Sequence, residues 1–224
     1  MDKKFDDKLL IRTRGIREWR GDTPYNRCEP TPYIALEKLF EKYKIDEEDK
    51  MVDFGAGRGR VAFYVHNRFN IPITGVELNE TTIDEAIDNK RSYRTHAGHL
   101  KSPIKFEYGY AENYDISEED NKFYFFNPFQ AQIFEQVVEN IIESAKEADK
   151  EVDIILYYPM PGYKKFLREN TDFQLIDKVL VEGAKDKREK FLIYRLDPNK
   201  LKEEKEEKEE KAQPKLVFRG KKKK

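Results

Sequence analysis

The stretch Met51–Tyr64, MVDFGAGRGRVAFY, sets three glycines and an aspartate between two apolar runs. Its opening residues read as a short buried strand, and RVAFYVHNRF after the glycines reads as a helix. The glycines therefore occupy a strand-to-helix turn, where a backbone without Cβ atoms can approach a ligand closely. Spacing separates the candidate ligands. A phosphate loop needs Gly, four residues, then Gly-Lys-Ser/Thr, and GAGRGRV has neither the lysine nor the hydroxyl. The dinucleotide fingerprint needs glycine at 60, where Arg60 stands. The observed pattern is G-x-G-x-G through Gly55, Gly57 and Gly59, with Asp53 two residues ahead of the first.

A carboxylate at Asp53 is out of place beside a pyrophosphate and well placed beside a cation. The methionine moiety of S-adenosylmethionine carries an ammonium that such a carboxylate attracts, directly or through water. The backbone from Gly55 through Ala56 and Gly57 to Gly59 then leaves room for the adenosyl part. At the end of the next strand, PITGVEL, stands Glu77, 18 residues after Gly59 and followed by Leu78. An acidic side chain there can accept from both ribose hydroxyls. A tight turn without a ligand is the plain alternative, weakened because both carboxylates stand in register.

Outward from this turn the chain alternates strands and helices. Before it, TPYIALEKLFEKY is a helix for which Thr31 can act as cap and Pro32 as first residue. After it come NETTIDEAIDNKRSYRTHAG, a helix capped near Thr81 and stopped at Gly98, and the strand IKFEYG. The nearly all-apolar KFYFFN suits a strand buried on both faces. QIFEQVVENIIESA has a 3.6-residue apolar period, and VDIILYYP is another buried strand. The short helix GYKKFLREN precedes two strands, FQLIDKVLV and EKFLIYRL, which read as a closing antiparallel hairpin. The expected architecture is α/β: a seven-stranded, mostly parallel sheet, helices on both faces, and a C-terminal antiparallel hairpin. Residues 1–30 are expected as a lead-in, 31–198 as the main domain, and 199–224 as a charged tail.

At this point VDFGAGRGRV followed by TGVELN resembles motifs I and II of the class I S-adenosylmethionine-dependent methyltransferases. The similarity extends over about residues 30–197. It implies that Asp53, Gly55, Gly57 and Glu77 touch the cofactor, and that adenine is contacted after the third strand, at YGYAENY. Many members have Gly-Asp-Ala there. This chain has Gly109-Tyr110-Ala111, which leaves Ala111 in place and makes Glu112 the substitute for the acid.

FFNPFQ, residues 125–130, ends the fourth strand, where ligands of open α/β sheets bind. Asn127 offers a side-chain carbonyl and, through its link to Pro128, a backbone one. Two such acceptors can grip an NH2 group, with Phe129 stacking on a planar acceptor. The segment resembles the (D/N/S)-P-P-(Y/F) motif of methyltransferases acting on base amines or glutamine amides, with one proline in place of two. CEPTPYIAL resembles the Thr-Pro element that precedes motif I in adenine-N6 methyltransferases, which implies that Thr31 holds the methionine carboxylate. The expected activity is methyl transfer to an amino or amide nitrogen of an unidentified acceptor: a nucleic-acid base, a protein side chain or a small molecule. The alternative is a non-catalytic cofactor-binding or scaffold protein that keeps the fold.

Composition narrows the partners. Of 224 residues, 38% are hydrophobic and 39% charged. Residues 199–224 hold 11 basic and 6 acidic side chains, so the rest carry 32 basic and 38 acidic ones. An acidic body opposes a broad duplex-binding face. The repeated K-E-E tail, ending KLVFRGKKKK, reads as a solvated helix or disordered extension, with RNA, ribosome or anionic-membrane tethering as the alternative. One cysteine, Cys28, and three scattered histidines make no metal site. No run is long and apolar enough to span a membrane and MDKKFDDK is no signal peptide, so a cytoplasmic protein is expected.

Overall fold

The strand β1 (Met51–Phe54) lies in the interior of the sheet and is buried along its whole length. In a strand, successive side chains point to opposite faces. Val52 and Phe54 accordingly enter one apolar layer, while Met51 enters the other. The same alternation runs through β4 (Lys122–Phe125) and β5 (Val152–Tyr157), where Phe123, Phe125, Ile154 and Leu156 face the first layer and Tyr124, Ile155 and Tyr157 the second. A central strand covered on both sides is mostly apolar, as in FYFF and VDIILY, where the buried Asp153 is ion-paired with Lys122 and Arg195. The account rests on a computed structural model that describes residues 2–19, 23–184, 186–199 and 202.

Parallel pairing adds β2 (Ile73–Glu77) and β3 (Ile104–Tyr108) on one side of β1. On the other side lie β4 and β5, followed by the antiparallel strands β7 (Lys190–Leu196) and β6 (Gln174–Leu180). The resulting seven-stranded order is β3-β2-β1-β4-β5-β7-β6. This is the expected sheet, including its closing hairpin.

Among the described residues six α-helices cover it: α1 (Asp2–Leu9), α2 (Tyr33–Lys42), α3 (Arg60–Phe69), α4 (Glu80–His96), α5 (Ala131–Glu147) and α6 (Pro161–Asn170). One layer takes Leu36, Leu39 and Phe40 of α2 with the buried face of α3, and the other takes the apolar stripe of α5 with Leu167 of α6. Two helix starts differ from expectation. Pro32 is the cap residue of α2, and the Thr31 hydroxyl instead shares a 2.8 Å hydrogen bond with the Tyr124 phenol. The cap of α4 is Asn79, not Thr81, and its side chain accepts from the Thr82 N–H at 3.0 Å. Asn is among the best cap residues and sits directly after the strand end, so it takes the role first.

The lead-in is built into the body. Arg60, 3% exposed, donates to Thr13 and to the Thr31 carbonyl and ion-pairs with Asp2 at 2.6 Å. Of the histidines, His66 is buried between the Tyr93 phenol and the Ser102 carbonyl, and His96 ends α4. Among the described residues no group of His, Cys, Asp and Glu could hold a metal ion, and no helix is long and apolar enough to cross a membrane. The K-E-E tail from 203 to 224 lies outside the described residues.

Candidate active site

The glycine turn runs from β1 into α3 with Gly55, Gly57 and Gly59 all at positive φ, 76°, 56° and 86°. A Cβ at any of the three would collide with a neighbour. A Cβ on Gly55 would lie 2.4 Å from Pro128 Cβ, and one on Gly57 would lie 2.7 Å from Cys28 Sγ. The turn is thus pressed between the Asn-Pro-Phe segment and the lead-in, with its backbone lining the groove between them. Burial pushes the Cys28 thiol up to about 11, so it serves here as a neutral packing group.

Asp53, 3% exposed, faces a small cleft of about 30 Å³ lined also by Thr31, Gly55, Ala56, Gly57, Arg60 and Tyr124. Burial, reinforced by the charge of Glu77, raises its carboxyl to about 8. A buried acid so poised keeps its proton at neutral pH until a cation arrives. Arg60 also lines this cleft; its Nη2 makes no hydrogen bond and lies 3.9 Å from Asp6 Oδ1. Glu77 lines a second cleft, of about 50 Å³, with Gly55, Leu78, Asn79, Ala111 and Pro128. Its carboxylate accepts from the Gly57 N–H at 2.9 Å and the Asn79 N–H at 2.8 Å. Burial raises its pKa against the pull of these backbone donors. Cys28, Glu29, Gly55 and Phe126 line both clefts, so the two are parts of one groove along the carboxyl ends of β1 and β2.

A larger chamber of about 750 Å³ opens beyond β4 and β5. Its walls include Trp19, Tyr25, Phe126, Asn127, Tyr157 and Tyr158. Asn127 and Tyr158, just past the ends of these two strands, hold left-handed backbone with φ of 44° and 52°. Asn tolerates that conformation, whereas Tyr seldom adopts it, and such strain persists where the surroundings enforce it. Here the Tyr158 phenol donates to Asp186 at 2.7 Å and Arg188 lies over its ring.

Residues 17–19 and 23–28 strap over the strand ends. Arg17 and Cys28 pair with each other, Tyr25 bridges Phe129, and the Asn26 N–H donates to the Pro128 carbonyl at 2.8 Å. The two acceptors expected for a substrate NH2 are taken up within the protein: the Asn26 side-chain amide donates to the Asn127 backbone carbonyl at 2.9 Å and to its Oδ1 at 3.2 Å.

Several expected contacts are therefore placed differently. Of Asn127, Pro128 and Phe129, only Asn127 faces the chamber, while the other two line the Glu77 cleft. Phe129 is 2% exposed and edge-on to Tyr25 and Phe125, so it has no free face on which an acceptor could stack. Glu112 lies outside the cleft lining and accepts from the Tyr25 phenol at 3.3 Å. Gly59 lines neither cleft; a Cβ there would strike Phe106 and Phe63, so its role is packing at the start of α3. Sequence reading missed Glu29, Phe126 and the whole strap, because their position depends on chain crossing over the sheet from 100 residues away.

No family model matches this chain. It is 34% identical over 67 residues to a protein-lysine N-methyltransferase of Saccharolobus islandicus, a match spanning 30% of this chain and 42% of that relative. Among solved structures, a candidate RNA methyltransferase of Pyrococcus horikoshii superposes with a TM-score of 0.51 at 17% identity, over 87% of this chain and 97% of the other. The Pyrococcus abyssi tRNA (uracil-54, C5)-methyltransferase, solved with S-adenosyl-L-homocysteine, gives 0.51 at 14% identity, over 79% of this chain and 40% of that one. Taken with the strand order and the glycine turn, these likenesses give the conclusion that the chain has the class I methyltransferase fold.

Proposed function

We propose that the protein is an S-adenosylmethionine-dependent methyltransferase that transfers the methyl group to a nitrogen of its acceptor. The observation that carries this reading is the pair of buried carboxylates flanking a left-handed glycine turn, Asp53 in one part of the groove and Glu77 in the other. The donor set fits the cofactor's chemistry. Asp53 would meet the ammonium, the Arg60 guanidinium and Thr31 would face the carboxylate of the same amino-acid group, and Glu77 would turn to the ribose hydroxyls. When bound, the cofactor supplies a methyl group on a sulfonium, already activated for attack.

The chain's own residues then have modest tasks. Gly55 and Gly57 leave the backbone open to the adenosyl part, and Leu78 and Ala111 wall its cleft. The strap of residues 17–19 and 23–28 lines the groove and would shift to admit a ligand larger than the present clefts. Asn127, once freed from the Asn26 amide, and Phe126 would hold the acceptor in line, and in-line placement supplies most of the rate in such a transfer. The partial likeness to a protein-lysine N-methyltransferase supports nitrogen as the target atom.

The test is incubation of the full chain with methyl-labelled S-adenosylmethionine and heat-treated cell extract, followed by separate nuclease and protease digestion. The reading predicts label on nitrogen in one acceptor fraction. Label on oxygen or carbon would refute the nitrogen assignment, and cofactor binding without transfer to any fraction would favour the scaffold alternative.

A further inference from the structure

The chamber beyond β4 and β5 has a composition that the transfer reaction alone does not require. It combines five aromatic side chains with four carboxylates, Glu18, Glu29, Asp186 and Glu189, against two cations, Arg27 and Arg188. Both cations are engaged. Arg27 pairs with Glu29 at 2.9 Å and reaches Glu18 at 3.7 Å, and Arg188 forks onto Asp186 and covers Tyr158. Glu189 makes no ion pair among the described residues. The walls therefore carry two negative charges in excess, next to aromatic faces. A phosphate-bearing acceptor is repelled by such walls, while an alkylammonium gains from both the charge and the rings.

Two residues, Glu29 and Phe126, line the chamber and both clefts of the groove. They mark the junction where a methyl carbon held in the groove meets an acceptor held in the chamber. The Arg27–Glu29 pair is solvent-exposed, so it holds Glu29 only weakly. Tyr157, at the chamber floor, feels both Glu189 and Glu29, which with its burial raise its phenol.

Resting on the methyl-transfer reading above, we propose that the acceptor is an alkylamine, of the kind borne by a lysine side chain, and that Glu29 receives its ammonium at the junction. The ammonium enters between the aromatic walls and gives one proton to water at the open mouth. The freed lone pair forms the N–C bond as the C–S bond breaks, the sulfur keeps that electron pair, and the product leaves as a methylammonium and a thioether. Glu29 orients the nitrogen and, as an anion, favours the positive charge that returns to it.

The experiment uses the full chain and three acceptors offered singly: poly-L-lysine, spermidine and an oligoadenylate, each with methyl-labelled S-adenosylmethionine. Expected is label on poly-L-lysine, recovered as Nε-methyl-lysine; label on spermidine alone would keep the alkylamine chemistry and move its source to a free polyamine. Glu29→Gln should lower kcat/KM at least tenfold while leaving the dissociation constant of S-adenosylhomocysteine within twofold. Arg27→Ala, which frees Glu29, should lower KM for poly-L-lysine by a few fold, an effect no loss of packing would produce. Label on the oligoadenylate only, or full activity in Glu29→Gln, overturns the inference while methyl transfer stands. Bound S-adenosylhomocysteine with label on none of the three also overturns it, whereas no S-adenosylhomocysteine binding refutes the methyl-transfer reading beneath it.

Discussion

Replacing Asp53 with Asn keeps the shape of the side chain and removes its titration. In the folded protein burial and the Glu77 charge hold this carboxyl at about 8, against the model-peptide value of 3.8 that applies when the chain unfolds. Between those two values the folded state keeps a proton that the unfolded state releases. Stability from this group is therefore complete below pH 3.8 and drains away as pH rises towards 8, at about 1.4 kcal/mol per unit. By pH 7 the loss is about 4 kcal/mol, a large part of the stability of an ordinary domain. Asp53→Asn should recover it: equal urea midpoints with the parent near pH 4, and a gain growing steadily up to pH 8. Glu77 is present in both proteins, so the difference isolates Asp53. Parallel stability profiles across this range would refute the reasoning, because they would mean that Asp53 ionises freely in the fold. The gain in stability should accompany loss of cofactor binding, as expected where a site is kept at the expense of the fold.

Three further outcomes follow from the same geometry. Because the Asp53 proton must leave when an ammonium takes its place, S-adenosylmethionine binding should release protons and tighten up to about tenfold per unit from pH 6 to 7.5, measured by calorimetry in buffers of different ionisation heat; binding independent of pH would contradict it. Gly57→Ala should weaken cofactor binding and cost about 1–2 kcal/mol for its left-handed backbone, with a further part, from the Cys28 contact, relieved by adding Cys28→Ala; no relief would show that the sulfur yields freely. Asn26→Ala removes both amide bonds to Asn127, so the strap should be cleaved faster by trypsin and S-adenosylhomocysteine should associate faster, whereas Asn127→Ala should slow turnover about a hundredfold with cofactor affinity nearly intact.

Where local chemistry decides, the sequence was legible. Largely apolar runs of four to six residues closed by glycine or proline could only be covered strands, and β1, β4 and β5 are buried at every position. The placement of Asp53 and Glu77 followed from their offset from the glycines, since both stand at the ends of strands paired in register. The strap was illegible for a physical reason. The sequence from 17 to 28 has no strand period, and what fixes Tyr25 and Asn26 is pairing with Phe129 and Pro128 about 100 positions later. That pairing also accounts for the misplaced roles of Phe129 and Glu112: Tyr25 takes an edge contact with one and donates to the other. Thr31 shows the same limit, because its hydroxyl had a partner, Tyr124, that no local rule for helix caps could supply.

The central claim is that the groove along β1 and β2 holds S-adenosylmethionine through Asp53 and Glu77. Its most direct test is calorimetric titration of the full chain with S-adenosylhomocysteine and, separately, with NADH, repeated on Asp53→Asn and Glu77→Gln. The account predicts saturable binding of S-adenosylhomocysteine at one site, loss of that binding in Asp53→Asn, a weakening of about 1.5–3 kcal/mol in Glu77→Gln, and no binding of NADH. Preference for NADH, or S-adenosylhomocysteine affinity unchanged in both variants, would contradict it.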